Sequence, residues 1–237
     1  MNVVLARAKL TLSLRIAGVR ADGYHLLDSE MVTIDLADRL EFAEGDSLTV
    51  SGVGAGGPVP DGAENLVRKA LARTGRTAAV RLEKRIPTGG GLGGGSADAA
   101  AVLRWAGVTD PLVAAGLGAD VPFCLVGGRA RVTGVGDIVA PLPFDEVAGQ
   151  PYTLLTPPLH VSTVEVYRMW DLLGGVRGEN GNDLEPAALA VEPRLEAWRE
   201  RLGDATGQMP RLAGSGGTWF VPGTHEGPGL VVVRVDR

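Results

Sequence analysis

The sequence predicts a two-layer α+β protein. Three observations carry that prediction: strand-like alternation crowds the first part of the chain, helical spacing is confined to separate later segments, and no internal repeat suggests a regular βαβ series. From Lys9 the residues alternate, with Leu10, Leu12, Leu14 and Ile16 facing one way and Lys9, Thr11, Ser13 and Arg15 the other, as in a half-buried strand. A turn signal, "ADGYH" at 21–25, follows, and "MVTIDL", "RLEFAE" and "SLTVSG" read as three further strands.

Composition makes Gly52 to Glu64 a loop. "ENLVRKALARTG" then spaces Leu66, Ala70 and Leu71 helically before a stop at Gly75, and "TAAVRLEKRIP" is a strand. In the next helix Ser96 is the expected N-cap, Asp98 falls in the first turn, Ala99 to Ala106 propagate it and Gly107 ends it. "GADVPFCLVGGRARVTGVGD" reads as a turn and two short strands. A shift in composition at Pro141 to Pro151 marks the expected boundary between a domain at 1–143 and a smaller one at 144–237. Beyond it "YTLLTPP" is a strand, and "STVE" at 162–165 is a capping box opening a helix through Leu173. Leu195, Trp198 and Leu202 share a face of another helix. "RLAGSGGTWFV" and "GLVVVRV" supply two closing strands, with a second glycine loop at Gly214 to Thr218.

Composition narrows the function. Hydrophobic residues at 45% and charged residues at 22% suit a soluble globular protein, and no segment approaches the roughly 20 apolar residues of a membrane span. The N-terminal "MNVVLARAKLTLSL" interrupts its apolar run with Arg7 and Lys9 and does not read as a signal peptide. A single cysteine, Cys124, leaves no internal disulfide or multi-cysteine metal site, so the expected location is the cytoplasm. A net charge of -5 argues against a nucleic-acid surface, so any polyanion must be held locally. Of 23 basic residues only Lys9, Lys69 and Lys84 are lysine.

The most informative stretch is "IPTGGGLGGGSADAAAVLRW", in which six of the seven residues from Gly89 to Gly95 are glycine. A G-x-G-x-x-G pattern fits Gly89, Gly91 and Gly94, but a run this rich in glycine fits such patterns almost automatically. A dinucleotide fingerprint needs a strand leading directly into the loop and a carboxylate closing a second strand, whereas Pro87 interrupts here and Asp110 follows a helix. A Walker A loop needs a lysine before its serine, and Gly95 stands there. What survives is physical: consecutive glycines let main-chain N–H groups converge on an anion, and a helix N-terminus adds its dipole. A flexible linker is the competing use, but linkers do not ordinarily run straight into a helix.

Four stretches together, "ARAKLTLSL", "DGYHLLDSEMVTIDLADRLEF", "PTGGGLGGGSADAA" and "LGADVPFCLVGGRARVTGVGD", resemble the GHMP kinase superfamily and, within it, the 4-diphosphocytidyl-2-C-methyl-D-erythritol kinases. "TPPLHVSTVEVY", "NDLEPAAL" and "AGSGGTWF" extend the resemblance, which covers most of residues 6 to 220 in the family's order. It implies a two-domain α+β fold with the active site in the interdomain cleft, and ATP-dependent phosphorylation of the 2-hydroxyl of the cytidyl-diphosphate sugar alcohol of non-mevalonate isoprenoid synthesis. By position it implies Lys9 and Asp120 as catalytic residues. ATP would meet Asn65, Lys84, Pro87, Gly90, Gly91, Leu92, Gly93, Gly94, Gly95 and Ser96. The second substrate would meet Thr11, Tyr24, His25, Thr163, Tyr167 and Gly216, with an aromatic ring stacked on cytosine. The resemblance further implies Mg2+ carried by ATP without a protein metal cage, small-molecule partners only, and a monomer or weak homodimer.

The chemistry of these residue types agrees with the implied roles. Asp120 suits acceptance of a hydroxyl proton, although an aspartate between Gly118 and Pro122 can equally cap a turn. Lys9 would hold Asp120 ionised and offset phosphoryl charge, and Thr11 shares its strand face. The pattern departs from the family at Thr11, where asparagine is usual, and at Ala97, where serine is usual. Another GHMP kinase, of homoserine or mevalonate type, and a nonenzymatic nucleotide-binding relative are the alternatives at this level.

Overall fold

A computed structural model gives the fold and describes residues 2–52 and 60–237; residues 53–59 of the loop expected at Gly52 to Glu64 lie outside them. In the first part, β1 (Asn2–Val19) and β2 (His25–Ala43) form a long antiparallel ribbon, followed by β3 (Ser47–Ser51), α1 (Leu66–Thr74), β4 (Ala79–Glu83) and α2 (Gly94–Trp105). Next come α3 (Pro111–Ala115), α4 (Val121–Val126), β5 (Arg129–Gly134), β6 (Ile138–Pro141) and β7 (Pro151–Leu155). The chain closes with α5 (Thr163–Leu172), α6 (Glu185–Val191), α7 (Leu195–Thr206), β8 (Arg211–Leu212), β9 (Trp219–Pro222) and β10 (Leu230–Arg234).

Two sheets result. In the larger, β2 is central: one edge pairs with β1, and the other pairs with β5 at one end and with β4 at the other. Among the described residues only the β3–β4 pair is parallel in this sheet. The smaller sheet runs β10-β7-β9-β8. The mixture of sheets and separate helices is the α+β class the alternation and spacing predicted.

β1 belongs to two cores. Ala6, Ala8 and Leu10 pack into the larger core, while Leu14 and Ile16 pack with Leu155, Val166, Leu195, Leu202 and Trp219 in the second. A register shift between Thr11 and Ser13 separates the two stretches. Such irregularities re-aim the side chains on either side of them. The polar residues at the crossover, Lys9 and Thr11, are themselves buried, so the simple alternation of an apolar and a solvated face does not hold there.

α2 occupies the middle of the larger core. Ala97, Ala99, Ala100 and Ala101 are all buried, and their short side chains let this helix pack closely against β1, α1 and α4. Cys124 on α4 is buried nearby, and burial pushes its thiol up to about 12. Three local expectations change. "MVTIDL" and "RLEFAE" are one strand, β2, whose pairing with β1 slips between Arg7 and Lys9. "VPFCLV" is the short helix α4. The strand in "TAAVRLEKRIP" ends at Glu83, leaving Lys84 to Pro87 as a connection to the glycine loop.

Candidate active site

The glycine loop delivers the chain into α2, but not through Ser96. Gly93 takes the left-handed conformation (φ 69°) at the N-cap position, the helix begins at Gly94, and Ser96 lies within its first turn. A glycine makes this turn without strain, so no side-chain cap is needed. The first helical bond runs from Ala97 N to Gly93 O at 2.8 Å, so the amides of Gly94, Gly95 and Ser96 stand outside the helical ladder. They form a donor cluster at the positive end of the helix dipole.

Two cavities flank that helix end. Gly95 lines a smaller one, of about 220 Å³, with Asn65, Lys84, Thr88 and Asp98. Its neighbour Ser96 lines a larger one, of about 590 Å³, with Lys9, Thr11, Tyr24, His25, Asp120, Thr163 and Tyr167. Adjacent residues at the helix start thus face different cavities.

In the larger cavity the Lys9 ammonium lies 3.6 Å from the Asp120 carboxylate and donates to Thr11 Oγ1 at 3.0 Å. Lys9 is buried, whereas the Asp120 side chain keeps 34% of its exposure. Asp120 occupies the N-cap position of α4 but makes no capping bond, which leaves its carboxylate for Lys9 and the cavity. Thr163 and Ser215 close one side with a 2.9 Å hydroxyl pair. Tyr24 is 63% exposed beside the cavity, while burial raises the Tyr167 hydroxyl and keeps it protonated.

The smaller cavity is backed by a buried ion cluster. Lys84 donates to Asp98 at 2.7 Å and to Asp38. The other oxygen of Asp38 accepts from the amides of Arg85 (2.5 Å) and Ile86 (2.8 Å). Lys84 therefore braces the loop from behind, joining β2 and α2 beneath it. Asn65 caps α1, accepting from Val67 N and donating to Pro60 O.

The remaining loop residues have packing roles. Leu92 is buried and its carbonyl accepts from Lys9 N at 3.0 Å. A Cβ on Gly93 would lie 2.9 Å from Lys9 Cγ, and one on Gly90 would lie 2.8 Å from Thr218 Oγ1. Pro87, Gly90, Gly91, Leu92, Gly93 and Gly94 do not line either cavity, and Gly216 packs against Gly91 while its neighbours Gly214 and Ser215 line the larger one. Sequence reasoning missed Ser215, Thr88, Arg168 and Asp171. Asp171 was within reach, because it follows Tyr167 by one helical turn.

The GHMP kinases N terminal domain family matches residues 63–109, the span containing the loop and α2. A 4-diphosphocytidyl-2-C-methyl-D-erythritol kinase of Cereibacter sphaeroides (strain KD131 / KCTC 12085) is 40% identical, over 93% of this chain and 88% of its own length. Its counterpart from Paracoccus denitrificans (strain Pd 1222) is also 40% identical, over 91% of this chain and 84% of its own. The chain belongs to the 4-diphosphocytidyl-2-C-methyl-D-erythritol kinase family. A crystal structure of 4-(cytidine 5'-diphospho)-2C-methyl-D-erythritol kinase aligns with a TM-score of 0.72 at 34% identity, covering 92% of this chain and 89% of that one. A mevalonate kinase structure aligns with a TM-score of 0.59 at 12% identity, covering 99% of each chain, a likeness of fold.

Proposed function

We propose that the chain transfers the γ-phosphoryl group of ATP to the 2-hydroxyl of 4-diphosphocytidyl-2-C-methyl-D-erythritol, in the supply of isoprenoid precursors. The observation that carries this reading is the Lys9–Asp120 pair, set 3.6 Å apart in the larger cavity beside the free amides of α2. Membership of the kinase family supports it.

The donor nucleotide would place its base end in the smaller cavity and run its phosphates over the amides of Gly94, Gly95 and Ser96. The acceptor would fill the larger cavity, its base between Tyr24 and Tyr167 and its hydroxyl at Asp120. Phosphoryl transfer demands positioning and charge stabilisation more than covalent work. As the hydroxyl oxygen bonds to the γ-phosphorus and the bond to ADP breaks, the hydroxyl proton passes to Asp120. Lys9, 3.6 Å away, orients that carboxylate and offsets charge on the transferring group.

Mg2+ belongs to this reading as the companion of ATP, where it neutralises phosphate charge. Among the described residues no group of three or more His, Cys, Asp or Glu could hold a metal ion. Ser96 and Asp120, both lining the larger cavity, are oxygen donors suited to an ion that arrives on the phosphates. The division into an ATP-binding domain at 1–143 and a second domain at 144–237, a cytoplasmic location and a monomer or weak homodimer complete the proposal. Among the described residues no helix is long and apolar enough to cross a membrane.

The test is a reaction of purified protein with Mg-ATP and the cytidyl-diphosphate substrate, followed by phosphate analysis of the product. We expect transfer by the wild type and, in Asp120→Ala, no steady-state turnover beyond a residual rate seen only in single-turnover reactions. Turnover of homoserine or mevalonate in its place, or an undiminished rate in Asp120→Ala, would overturn the reading.

A further inference from the structure

His25 is held more firmly than a turn histidine at a cavity rim needs to be. Its Nε2 lies 2.8 Å from Asp171 Oδ1, and its ring lies 4.8 Å from that of Tyr167, tilted by 38°. The Trp170 ring meets it edge-on at 5.4 Å. Tyr167, Trp170 and Asp171 stand at positions i, i+3 and i+4 of α5, so one helical face grips the imidazole. Trp170 is itself tied down, its indole N–H donating to Val176 O at 2.9 Å. Only 10% of the His25 side chain remains exposed, yet His25 lines the cavity together with Tyr24.

A carboxylate accepts hydrogen bonds and donates none, so Nε2 must carry a proton to bond Asp171. In the neutral ring Nδ1 then holds a bare lone pair, and among the described residues no hydrogen bond reaches it. A bare lone pair accepts from an amine and repels a carbonyl oxygen. Cytosine and uracil differ at just this edge: cytosine carries an exocyclic amine where uracil carries an oxygen.

We propose that Asp171 is a positioning residue that fixes the tautomer and orientation of His25, so that the cavity selects a cytosine-bearing diphosphate over its uracil counterpart. The proposal rests on the functional reading above, which puts a cytidyl group in this cavity. Sites built to hydrogen-bond one substrate group can reject an analogue without it by large factors, because a buried polar atom is left unpaired.

The experiment compares the cytidyl substrate with its uridyl analogue at pH 8. It uses the wild type, Asp171→Asn, Asp171→Ala and Asp171→Glu, with CDP and UDP binding measured by calorimetry on the same proteins. The wild type is expected to prefer the cytidyl compound by at least about 100-fold in kcat/KM. In Asp171→Asn the amide can donate to Nε2, which admits the other tautomer. That preference should then fall at least tenfold, through KM for the cytidyl compound and not through kcat. Asp171→Ala should behave alike, and Asp171→Glu should keep part of the preference by restoring a carboxylate. The Asp171 side chain is half-exposed, and a melting temperature close to the wild type's would separate positioning from damage to the fold. Wild-type indifference to the base, or full preference retained in both Asp171→Asn and Asp171→Ala, would overturn the proposal. If no variant turns over but CDP is still preferred to UDP and Asp171→Asn erodes that preference, the kinase reading fails while this inference stands.

Discussion

Gly91 and Gly216 meet backbone to backbone: a Cβ added to Gly216 would lie 2.2 Å from the amide nitrogen of Gly91, and one added to Gly91 would lie 2.4 Å from Ala213 O. The two glycine loops are therefore one interlocked unit, tied further by the 3.2 Å bond from Thr218 N to Gly90 O. Since Lys9 N bonds Leu92 O within the first loop, separating the loops would also shift the strand that carries Lys9. Gly216→Ala should lower kcat/KM at least tenfold. Gly217→Ala is the comparison, because its Cβ would make only ordinary contacts at 3.5 Å with Leu195 and Val161. Equal losses in the two variants would refute the interlock.

The Lys9–Asp120 geometry predicts strong coupling. If the lysine acts chiefly by aligning the carboxylate, removing it after Asp120 is gone should matter little. Lys9→Ala alone should cut kcat severely, on the order of 100-fold or more, as does loss of a preorganised charge-stabilising group elsewhere. The double variant should be no slower than Asp120→Ala within a few-fold. Single-turnover rates of the three variants measure this, and losses that multiply would show that the residues act separately.

Much of this site was legible because its signals are local or carried by resemblance. The glycine run, the helix after it and the strand around Lys9 follow from spacing, and the family pattern points to Lys9, Asp120 and Tyr24, which line one cavity. The start of α2 was misplaced because left-handed Gly93 does the work expected of Ser96. α3 and α4, of five and six residues, are too short for periodicity to declare itself. Asp38 was passed over inside "DLADRL" because its partner Lys84 lies 46 residues away, and no local rule links them. The split of β1 between two cores falls at a register shift where Leu12 has no paired residue opposite it on β2, and the alternation of the sequence does not announce that extra residue.

Tyr24 and Tyr167 should separate binding from stability. Stacking of a base on an aromatic ring contributes about 1–3 kcal/mol. Tyr24 is largely exposed, so Tyr24→Ala should raise KM for the cytidyl substrate about 5-fold or more, with KM for ATP and the melting temperature little changed. Tyr167 also packs on His25 and joins the second core, so Tyr167→Ala should add a loss of stability. Steady-state kinetics with each substrate varied in turn, together with thermal melts, distinguish the two patterns; an unchanged KM in Tyr24→Ala would remove it from the base site.

The buried cluster of Lys84, Asp38 and Asp98 holds two carboxylates and one ammonium. Burial, reinforced by the nearby Asp38 charge and opposed by Lys84, pushes the Asp98 carboxyl up to about 7. Its Oδ1 is buried without a hydrogen-bond partner, as suits a group not fully ionised. In the unfolded chain an aspartate titrates near 3.9. Between these values the folded protein binds more protons than the unfolded chain, so this group's contribution to stability is fully present below about 4 and declines as pH rises through about 7. Lys84 works in the same direction only at alkaline pH, since its own shift is upward from the lysine range. Asp98→Asn copies the neutral form in nearly the same volume and removes the excess charge. It should melt higher than the wild type at pH 8, converge with it near pH 5, and flatten the profile between. Melting temperatures taken across that range decide the matter, and parallel curves for the two proteins would mean that Asp98 stays ionised beside Lys84 throughout.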